Sequence, residues 1–373
     1  MTLLPRLAFA LFVLLALALR PAAALETEAT TAILVDGDSG AVLFEKNADQ
    51  RIPPASLTKL MTAYLTFERL KDKRLALDDL LTVSEKAWRM EGSKMWIEVG
   101  ERVRVEDLLR GLIIQSGNDA AVAFAEALSG SEQAFAEEMN RKAKEIGLTD
   151  SSFANASGWP APGQYMTARD LATLGLRLIH DFPEYYHFYS ETEFTWAEIK
   201  QPNRNPLLYR NIGADGLKTG HTTEAGYCLI GTAVQNGKRL LLVITGMSSE
   251  KARAEEGERL LAWGFREFAS YKLFSAGEVL DSAPVFMGAA DSVPLVMPRD
   301  IELQMLRSAR AEMTVTLRYQ APLVAPIALG QEVAVVTVEA PGLRPVDLPV
   351  VAGQAVEEMG LFGRMIEGVK SLM

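Results

Sequence analysis

The chain has 373 residues, with 38 basic and 48 acidic side chains and a formal net charge of −10. Such an acidic balance disfavours binding to nucleic acid, whose phosphates require basic surfaces. The single cysteine, Cys228, excludes an internal disulfide, and its place in an apolar strand predicts a buried, unreactive thiol.

Residues 1–24 are predicted to be a signal peptide that is removed on export. A short basic start ends at Arg6, an apolar run extends from Leu7 to Leu19, and Ala22-Ala23-Ala24 offers a small-residue cleavage site. The run is shorter than the roughly 20 residues that span a bilayer. Because Arg20 also interrupts it, an uncleaved anchor is the weaker alternative.

The first candidate catalytic pair, Ser56 and Lys59, stands at the start of a predicted helix. Pro53-Pro54 precede the pair, and the apolar spacing from Ser56 to Lys71 is helical. Residues three apart on a helix share a face. The lysine amine can therefore take the serine proton, provided that burial or a second cation keeps it neutral. Taken alone, the pair is more simply a serine cap followed by a solvated lysine.

A second motif, Ser116-Gly117-Asn118, separates two helical segments, Val105 to Ile114 and Ala120 to Leu128. On such a break the hydroxyl could relay a proton to a leaving amine. The amide could hold a peptide carbonyl and the Lys59 amine. Taken alone, an ordinary helix–helix turn with an Asn or Asp cap is the simpler explanation.

The third motif, Lys218-Thr219-Gly220, opens a strand-rich segment in which Asn236-Gly237 predicts a hairpin. An edge strand with this motif offers a cation, a hydroxyl and backbone groups to an extended substrate, and glycine leaves space for close approach. A solvated strand end would explain the motif alone. Together, the three motifs form a set for acyl transfer by a serine nucleophile that needs no metal or cofactor.

The three histidines provide no alternative mechanism. His180, His187 and His221 lack metal-ligand spacing, so we predict no metal. No G-x-S-x-G elbow surrounds Ser56, which argues against a Ser-His-Asp triad. We expect His180 and His187 to be packing or surface residues.

The chain is predicted to contain two domains and a tail. Residues 25–270 mix helices and strands, including a helix from Ala254 to Phe268. Short β-prone segments predict a small all-β sandwich over residues 274–350. Residues 353–373 have helical apolar spacing that includes Val356, Phe362 and Ile366. This predicted amphipathic helix could lie in a membrane interface or dock on the β domain.

These motifs resemble those of the low-molecular-mass penicillin-binding proteins, specifically the serine-type D-alanyl-D-alanine carboxypeptidases. The likeness covers about Glu26 to Phe268, and the remainder more loosely. It implies an α+β fold of the penicillin-binding and serine β-lactamase type, followed by the β sandwich and the C-terminal helix. Beyond the three motifs it includes Pro54 to Thr62, Val105 to Leu109, Met166 to Leu171, Asp215 to Thr222 and Trp263 to Phe265.

The resemblance implies that Ser56 is the acylated nucleophile, that Lys59 is its base, and that Ser116 and Asn118 form the second catalytic element. The backbone N–H groups of Ser56 and His221 would form the oxyanion hole. Two arginines would meet the substrate's terminal carboxylate, although a surface ion pair explains Arg204 equally well. The implied substrate-binding residues are Lys218, Thr219, Gly220, His221, Arg253 and Arg204.

The implied activity is hydrolysis of the C-terminal D-Ala-D-Ala bond of peptidoglycan stem peptides, without a cofactor and with inhibition by β-lactam antibiotics. The enzyme would act at the periplasmic face of the inner membrane, held peripherally by its C-terminal helix. For that helix, the resemblance favours the membrane over the β domain.

Three other functions are compatible with parts of this pattern. A class A β-lactamase would have S-D-N and an E-x-x-L-N element, whereas this chain has Gly117 and no such element between Asp119 and Leu217. Endopeptidase action on peptidoglycan crosslinks stays open. A non-catalytic β-lactam sensor or wall-binding protein would be expected to have lost part of the catalytic set.

Overall fold

The computed structural model of the protein describes residues 25–341 and 343–360. The predicted signal peptide and residues 361–373 lie outside this part. In chain order the helices α1 to α7 are Lys59–Lys71, Glu85–Trp88, Val105–Ile113, Asn118–Ser129, Glu132–Glu145, Ala168–Asp181 and Glu250–Glu267. The strands of the first region, β1 to β9, are Thr31–Asp36, Val42–Lys46, Leu80–Thr82, Arg102–Arg104, Glu193–Trp196, Ile199–Pro202, Ala214–Thr222, Gly226–Gln235 and Lys238–Met247.

A five-stranded antiparallel sheet with the order β2-β1-β9-β8-β7 forms the centre of the first region. Asn236 and Gly237 both have positive φ at the β8–β9 turn, which confirms the predicted hairpin. Alternate residues of β1 enter two different cores because successive side chains of a strand point to opposite faces. Ile33 joins the core shared with α1 and α6, whereas Leu34 joins the core beneath α7. Strand β7 forms one edge of the sheet.

Helix α1 is buried along nearly its whole length and lies among the other helices of the first region. The α-helix begins at Lys59, and a 3₁₀ turn over Ala55–Thr58 contains Ser56. Helix α3 ends at Ile113 and α4 begins at Asn118, so the predicted break falls at the second motif. The prediction of helices on both sides of that motif is therefore confirmed.

Helix α7 begins earlier than predicted because Ser249 caps it, its side chain accepting a hydrogen bond from the N–H of Ala252. It ends at Glu267, and the next residue, Phe268, already belongs to β10. Strands β10 to β17 are Phe268–Phe274, Val279–Phe286, Ser292–Val296, Ile301–Leu306, Thr314–Arg318, Leu323–Val324, Glu332–Ala340 and Leu343–Ala352.

These eight strands form the predicted all-β domain. Six pair in the order β14-β16-β17-β12-β11-β15, and β10 pairs with β13. A separate apolar core of this domain includes Leu295, Val336 and Val350.

The predicted C-terminal helix does not begin at residue 353. Residues 353–360 contain no helix. The backbone of Val356 exchanges hydrogen bonds with that of Ile327, and its side chain is buried in the β-domain core. The apolar character of Val356 therefore serves strand packing. The remainder of the predicted helix lies outside the described residues, and no helix within them is long and apolar enough to cross a membrane.

Candidate active site

Two glycines hold the turn that contains Ser56. A Cβ atom on Gly220 of β7 would lie 3.2 Å from the Cβ of Ala55 and 3.3 Å from the carbonyl oxygen of Pro54. Gly158 has a φ of +82°, and a Cβ there would lie 1.8 Å from the carbonyl oxygen of Ala55. The absence of a side chain at Gly220 therefore lets the serine turn pack against β7, in addition to leaving space for a substrate.

The Lys59 amine lies at the centre of the site and is 1% exposed. Its Nζ is 3.1 Å from the Ser56 Oγ, 2.7 Å from the Asn118 Oδ1 and 2.6 Å from the carbonyl oxygen of Ser157. A neutral amine has two N–H donors and one lone pair. The two carbonyl oxygens can accept both donors, and the lone pair is then left for the hydroxyl of Ser56. This arrangement suits a base that removes the Ser56 proton.

Burial and neighbouring positive charges lower the pKa values of two lysines of the site, Lys59 and Lys218. Burial and, to a smaller extent, the positive charge of Arg204 lower the pKa of Lys59 to about 7, against the charge of Asp119, which raises it. Burial also holds the pKa of Lys218 well below its usual value, assisted by the charges of Lys59, Arg204 and Arg253. An amine with a pKa near neutrality is well matched to general-base catalysis.

The second motif presents two polar side chains beside this amine. Ser116 has a φ of +60°, and its buried hydroxyl has no hydrogen-bond partner among the described residues. The Asn118 Nδ2 donates to the carbonyl oxygen of Glu91 at 2.7 Å, which fixes the amide so that its oxygen faces Lys59. The adjoining carboxylate of Asp119 is fully buried and accepts hydrogen bonds from the backbone N–H groups of Met95, Trp96 and Ala120.

Strand β7 forms the opposite wall. Lys218 is buried, and its Nζ donates to the carbonyl oxygen of Thr219 at 3.1 Å. The exposed ring of His221 packs on Tyr227, with 4.0 Å between ring centroids. Among the described strands β7 pairs only with β8, so its other edge is available to the serine turn and to a substrate backbone.

Both arginines named in the sequence analysis line a cleft of about 470 Å³ that also contains Ser56, Ser116, Thr219, Gly220 and His221. Arg253 projects from α7, its guanidinium 5.7 Å from the centre of the Tyr227 ring. Its buried Nε has no hydrogen-bond partner among the described residues. Arg204 donates a hydrogen bond to the hydroxyl of Ser93, and neither arginine forms an ion pair in the described part of the chain.

The remaining histidines lie away from this cleft. The Nε2 of His180 is 2.8 Å from the carbonyl oxygen of Gly37, and the exposed ring of His187 contacts the carbonyl oxygen of Glu184. Cys228 is buried in β8, as predicted.

Sequence reasoning missed several contributors to the site. Ser157 and Glu91 act through their backbone carbonyls, which any residue type carries, so no sequence signal identifies them. Ser93, Tyr227 and Glu250 line the cleft through side chains that belong to no recognised motif. Gly158 has a detectable signal, because glycine is the residue that most readily adopts a positive φ.

Two family profiles match most of the chain. Residues 18–249 match the profile described as D-alanyl-D-alanine carboxypeptidase, peptidase S11. Residues 268–358 match the C-terminal domain of penicillin-binding protein 5.

Similar proteins and structures extend over both regions. D-alanyl-D-alanine carboxypeptidase DacC of Escherichia coli K12 is 40% identical over 348 residues, which is 89% of this chain and 85% of the relative. Penicillin-binding protein 5 from Haemophilus influenzae has a TM-score of 0.79 at 38% identity, covering 91% of this chain and 100% of that one. Penicillin-binding protein D2 from Listeria monocytogenes, in its ampicillin-bound form, has a TM-score of 0.59 at 35% identity, covering 65% and 98%.

The pKa of Lys59 predicts how acylation of Ser56 depends on pH. Below about pH 7 the amine is protonated and cannot accept the serine proton, so the acylation rate should rise as the pH increases through about 7. The measurement is the second-order rate constant for benzylpenicillin acylation from about pH 5 to about pH 9. Lys59→Ala should abolish acylation while its thermal unfolding stays cooperative. A rate that is independent of pH across this range would contradict the role of Lys59 as base.

Proposed function

The chain belongs to the D-alanyl-D-alanine carboxypeptidase family of serine peptidases, and we propose that Ser56 is the nucleophile with which it hydrolyses the C-terminal D-Ala-D-Ala bond of peptidoglycan stem peptides. The observation that carries the assignment is the contact of 3.1 Å between the buried Lys59 amine and the Ser56 hydroxyl. This pair opens into a cleft that two arginines line.

In the proposed acylation step the Ser56 Oγ attacks the carbonyl carbon between the two D-alanines while its proton passes to Lys59. The backbone N–H groups of Ser56 and His221 would stabilise the negative charge that develops on the carbonyl oxygen. The C–N bond then breaks, and the departing amine of D-alanine takes up a proton. The unpartnered hydroxyl of Ser116 is suited to relay this proton from Lys59.

Deacylation completes the cycle. Water attacks the ester carbonyl, Lys59 accepts a proton from it, and Ser56 regains its own proton as the shortened peptide leaves. The chain lacks the E-x-x-L-N glutamate by which class A β-lactamases activate water. A penicillin bound to Ser56 also keeps its leaving group tethered, so we expect its hydrolysis to be slow.

The charge of the cleft supports a substrate that ends in a carboxylate. Arg204 and Arg253 line the cleft together with one acidic residue, Glu250. The charges of both arginines contribute to the lowered pKa of the buried Lys218. A terminal carboxylate bound in the cleft would offset these positive charges and give Arg253 the acceptor that it lacks. We therefore assign the carboxylate of the leaving D-alanine to Arg253, with Arg204 and Thr219 beside it.

We further propose that the mature enzyme acts on the periplasmic face of the inner membrane. The sequence of residues 1–24 supports export, and the apolar spacing after residue 360 supports peripheral attachment by the tail. Val356 and Met359 form backbone hydrogen bonds within the β domain, which supports a tail that starts from that domain.

Mixing the mature protein with benzylpenicillin should give one stable penicilloyl adduct on Ser56, because the tethered leaving group hinders hydrolysis and no lactamase-type glutamate activates water. Intact-mass analysis followed by peptide mapping measures the adduct. Ser56→Ala should lose the adduct and the D-Ala-D-Ala carboxypeptidase activity together. Rapid turnover of penicillin with no trapped adduct would instead support the β-lactamase alternative.

Arg253→Ala should reduce kcat/KM for peptides with a free C-terminal carboxylate more than for C-terminally amidated analogues. A hydrogen bond to a charged group is worth about 1.5–3 kcal/mol, so the differential loss should be about 10- to 150-fold. The matched control is Lys251→Ala, on the same helix but with a side chain 82% exposed. Equal losses on both kinds of peptide would exclude carboxylate binding by Arg253.

Truncation after Gly360 should release the protein from membranes and leave its activity on a soluble peptide nearly unchanged. Deletion from residue 353 would be a poor test, since it removes Val356 from the β-domain core. Phe362→Asp with Ile366→Asp should reproduce the release, whereas the control pair Glu367→Gln with Lys370→Gln should not. Fractionation of cells with a salt wash is the measurement. Retention of the truncated protein in the membrane fraction would contradict the anchor.

A further inference from the structure

A second cavity, of about 450 Å³, lies where the first region of the chain meets the β domain. The β1–β2 turn and the β8–β9 hairpin line it from the first region, and β13 lines it from the β domain, with the joint between α7 and β10 beside them. Gln235, in this cavity, and Tyr227, in the catalytic cleft, stand at opposite ends of β8, which puts about 26 Å between them. The catalytic assignment made above gives this junction cavity no role.

The junction cavity has a buried acceptor that lacks a donor. Asp36 is 1% exposed, and its Oδ1 accepts hydrogen bonds from the N–H and the hydroxyl of Ser39, at 2.8 and 2.6 Å. Its Oδ2 has no hydrogen-bond partner among the described residues. A buried oxygen without a donor costs free energy. This wall of the cavity therefore favours a ligand that brings a donor.

Charged groups of both signs line the junction cavity. Asp36, Asp38 and Glu302 are the acidic members, and Lys238 and Arg307 are the basic ones. Burial lowers the pKa of Lys238 and the charge of Asp36 raises it, which indicates that the two groups are close in space. Because the two signs nearly balance, the lining does not select a strongly charged ligand. Hydroxyl groups, which both donate and accept, match it better.

Amide side chains and a phenyl ring complete the lining. The Oε1 of Gln304 accepts a hydrogen bond from Lys238, so its amide nitrogen is left to donate. The Nε2 of Gln235 donates to the carbonyl oxygen of Ile212 at 2.9 Å, so its oxygen is left to accept. The half-buried ring of Phe265 lines the same space. Amides of both kinds suit an acetamido group, and an aromatic face suits the C–H face of a sugar ring.

We propose that the junction cavity binds an N-acetylated amino sugar of the peptidoglycan glycan strand. The inference rests in part on the proposed function, because the stem peptides that the enzyme would hydrolyse are attached to such strands. A site about 26 Å from the cleft has no part in the chemistry at Ser56. It would tether the enzyme to the polymer and so raise the local concentration of stem peptides.

Isothermal titration calorimetry of the mature protein with triacetylchitotriose tests the assignment. This trisaccharide should bind saturably and about 10-fold more tightly than cellotriose, which has the same linkage but no acetamido groups. Asp38→Trp should abolish the binding, because the indole would fill the cavity from an exposed turn. The matched control is Asp78→Trp, at an exposed aspartate outside this cavity, which should bind like the wild type.

A second variant tests the polar contacts of the cavity. Gln304→Met keeps the approximate shape of the side chain and removes its amide. It should weaken triacetylchitotriose binding about 2- to 12-fold, as expected for one lost hydrogen bond, while thermal unfolding stays cooperative.

Kinetics separate the junction cavity from the catalytic cleft. Asp38→Trp should lower kcat/KM for stem peptides that are still attached to soluble glycan strands. Hydrolysis of free peptides and acylation by benzylpenicillin should stay unchanged. No saturable binding to the wild type, equal affinity for the two trisaccharides, or undiminished binding in Asp38→Trp would overturn the inference and leave the carboxypeptidase assignment intact. Failure of the wild type to hydrolyse free peptides would instead overturn the proposed function.

Discussion

The burial of one amine, that of Lys59, is the constraint on which the rest of the site depends. An ammonium group in this position would be costly, and a neutral amine needs acceptors for its two N–H groups. Asn118 and Ser157 provide them from two separate segments of the chain, at 2.7 and 2.6 Å. Each segment is held in turn, Asn118 by the carbonyl of Glu91 and the Ser157 segment by the close contact of Gly158 with Ala55. The central sheet and the helical region meet around this amine.

The cleft concentrates positive charge in a chain that is acidic as a whole. Lys59 and Lys218 are buried, and burial lowers the pKa of each amine. Each amine therefore loses its proton more readily, which reduces the positive charge of the site. Arginine is far less able to release its proton, so the permanent charge lies at Arg204 and Arg253. In the proposed mechanism the site thus separates proton transfer, at Lys59, from anion binding, at the arginines.

The proximity of the motif residues could be predicted because the motifs are side-chain signals at fixed local spacing. The three-residue spacing of Ser56 and Lys59 predicted their contact, and Asn236-Gly237 predicted the hairpin beside β7. The acceptor at Ser157 could not be predicted, since a carbonyl has no sequence identity and its position depends on a contact over a separation of 98 residues. The helical spacing of apolar residues led to a wrong prediction for Val356, which lies in the β-domain core. A single apolar residue fits the apolar face of a helix and the core of a β domain equally well.

The passage from α7 into β10 has a mechanical consequence. Glu267 ends the helix and Phe268 begins the strand, so no flexible connection separates the part that bears Arg253 from the β domain. Arg307 strengthens this joint, because its backbone N–H donates to the carbonyl oxygen of Glu267 at 2.8 Å and its Nε to that of Arg266 at 3.0 Å. Because helix and strand are continuous here, a displacement of the β domain would also displace the end of α7, the helix that bears Arg253.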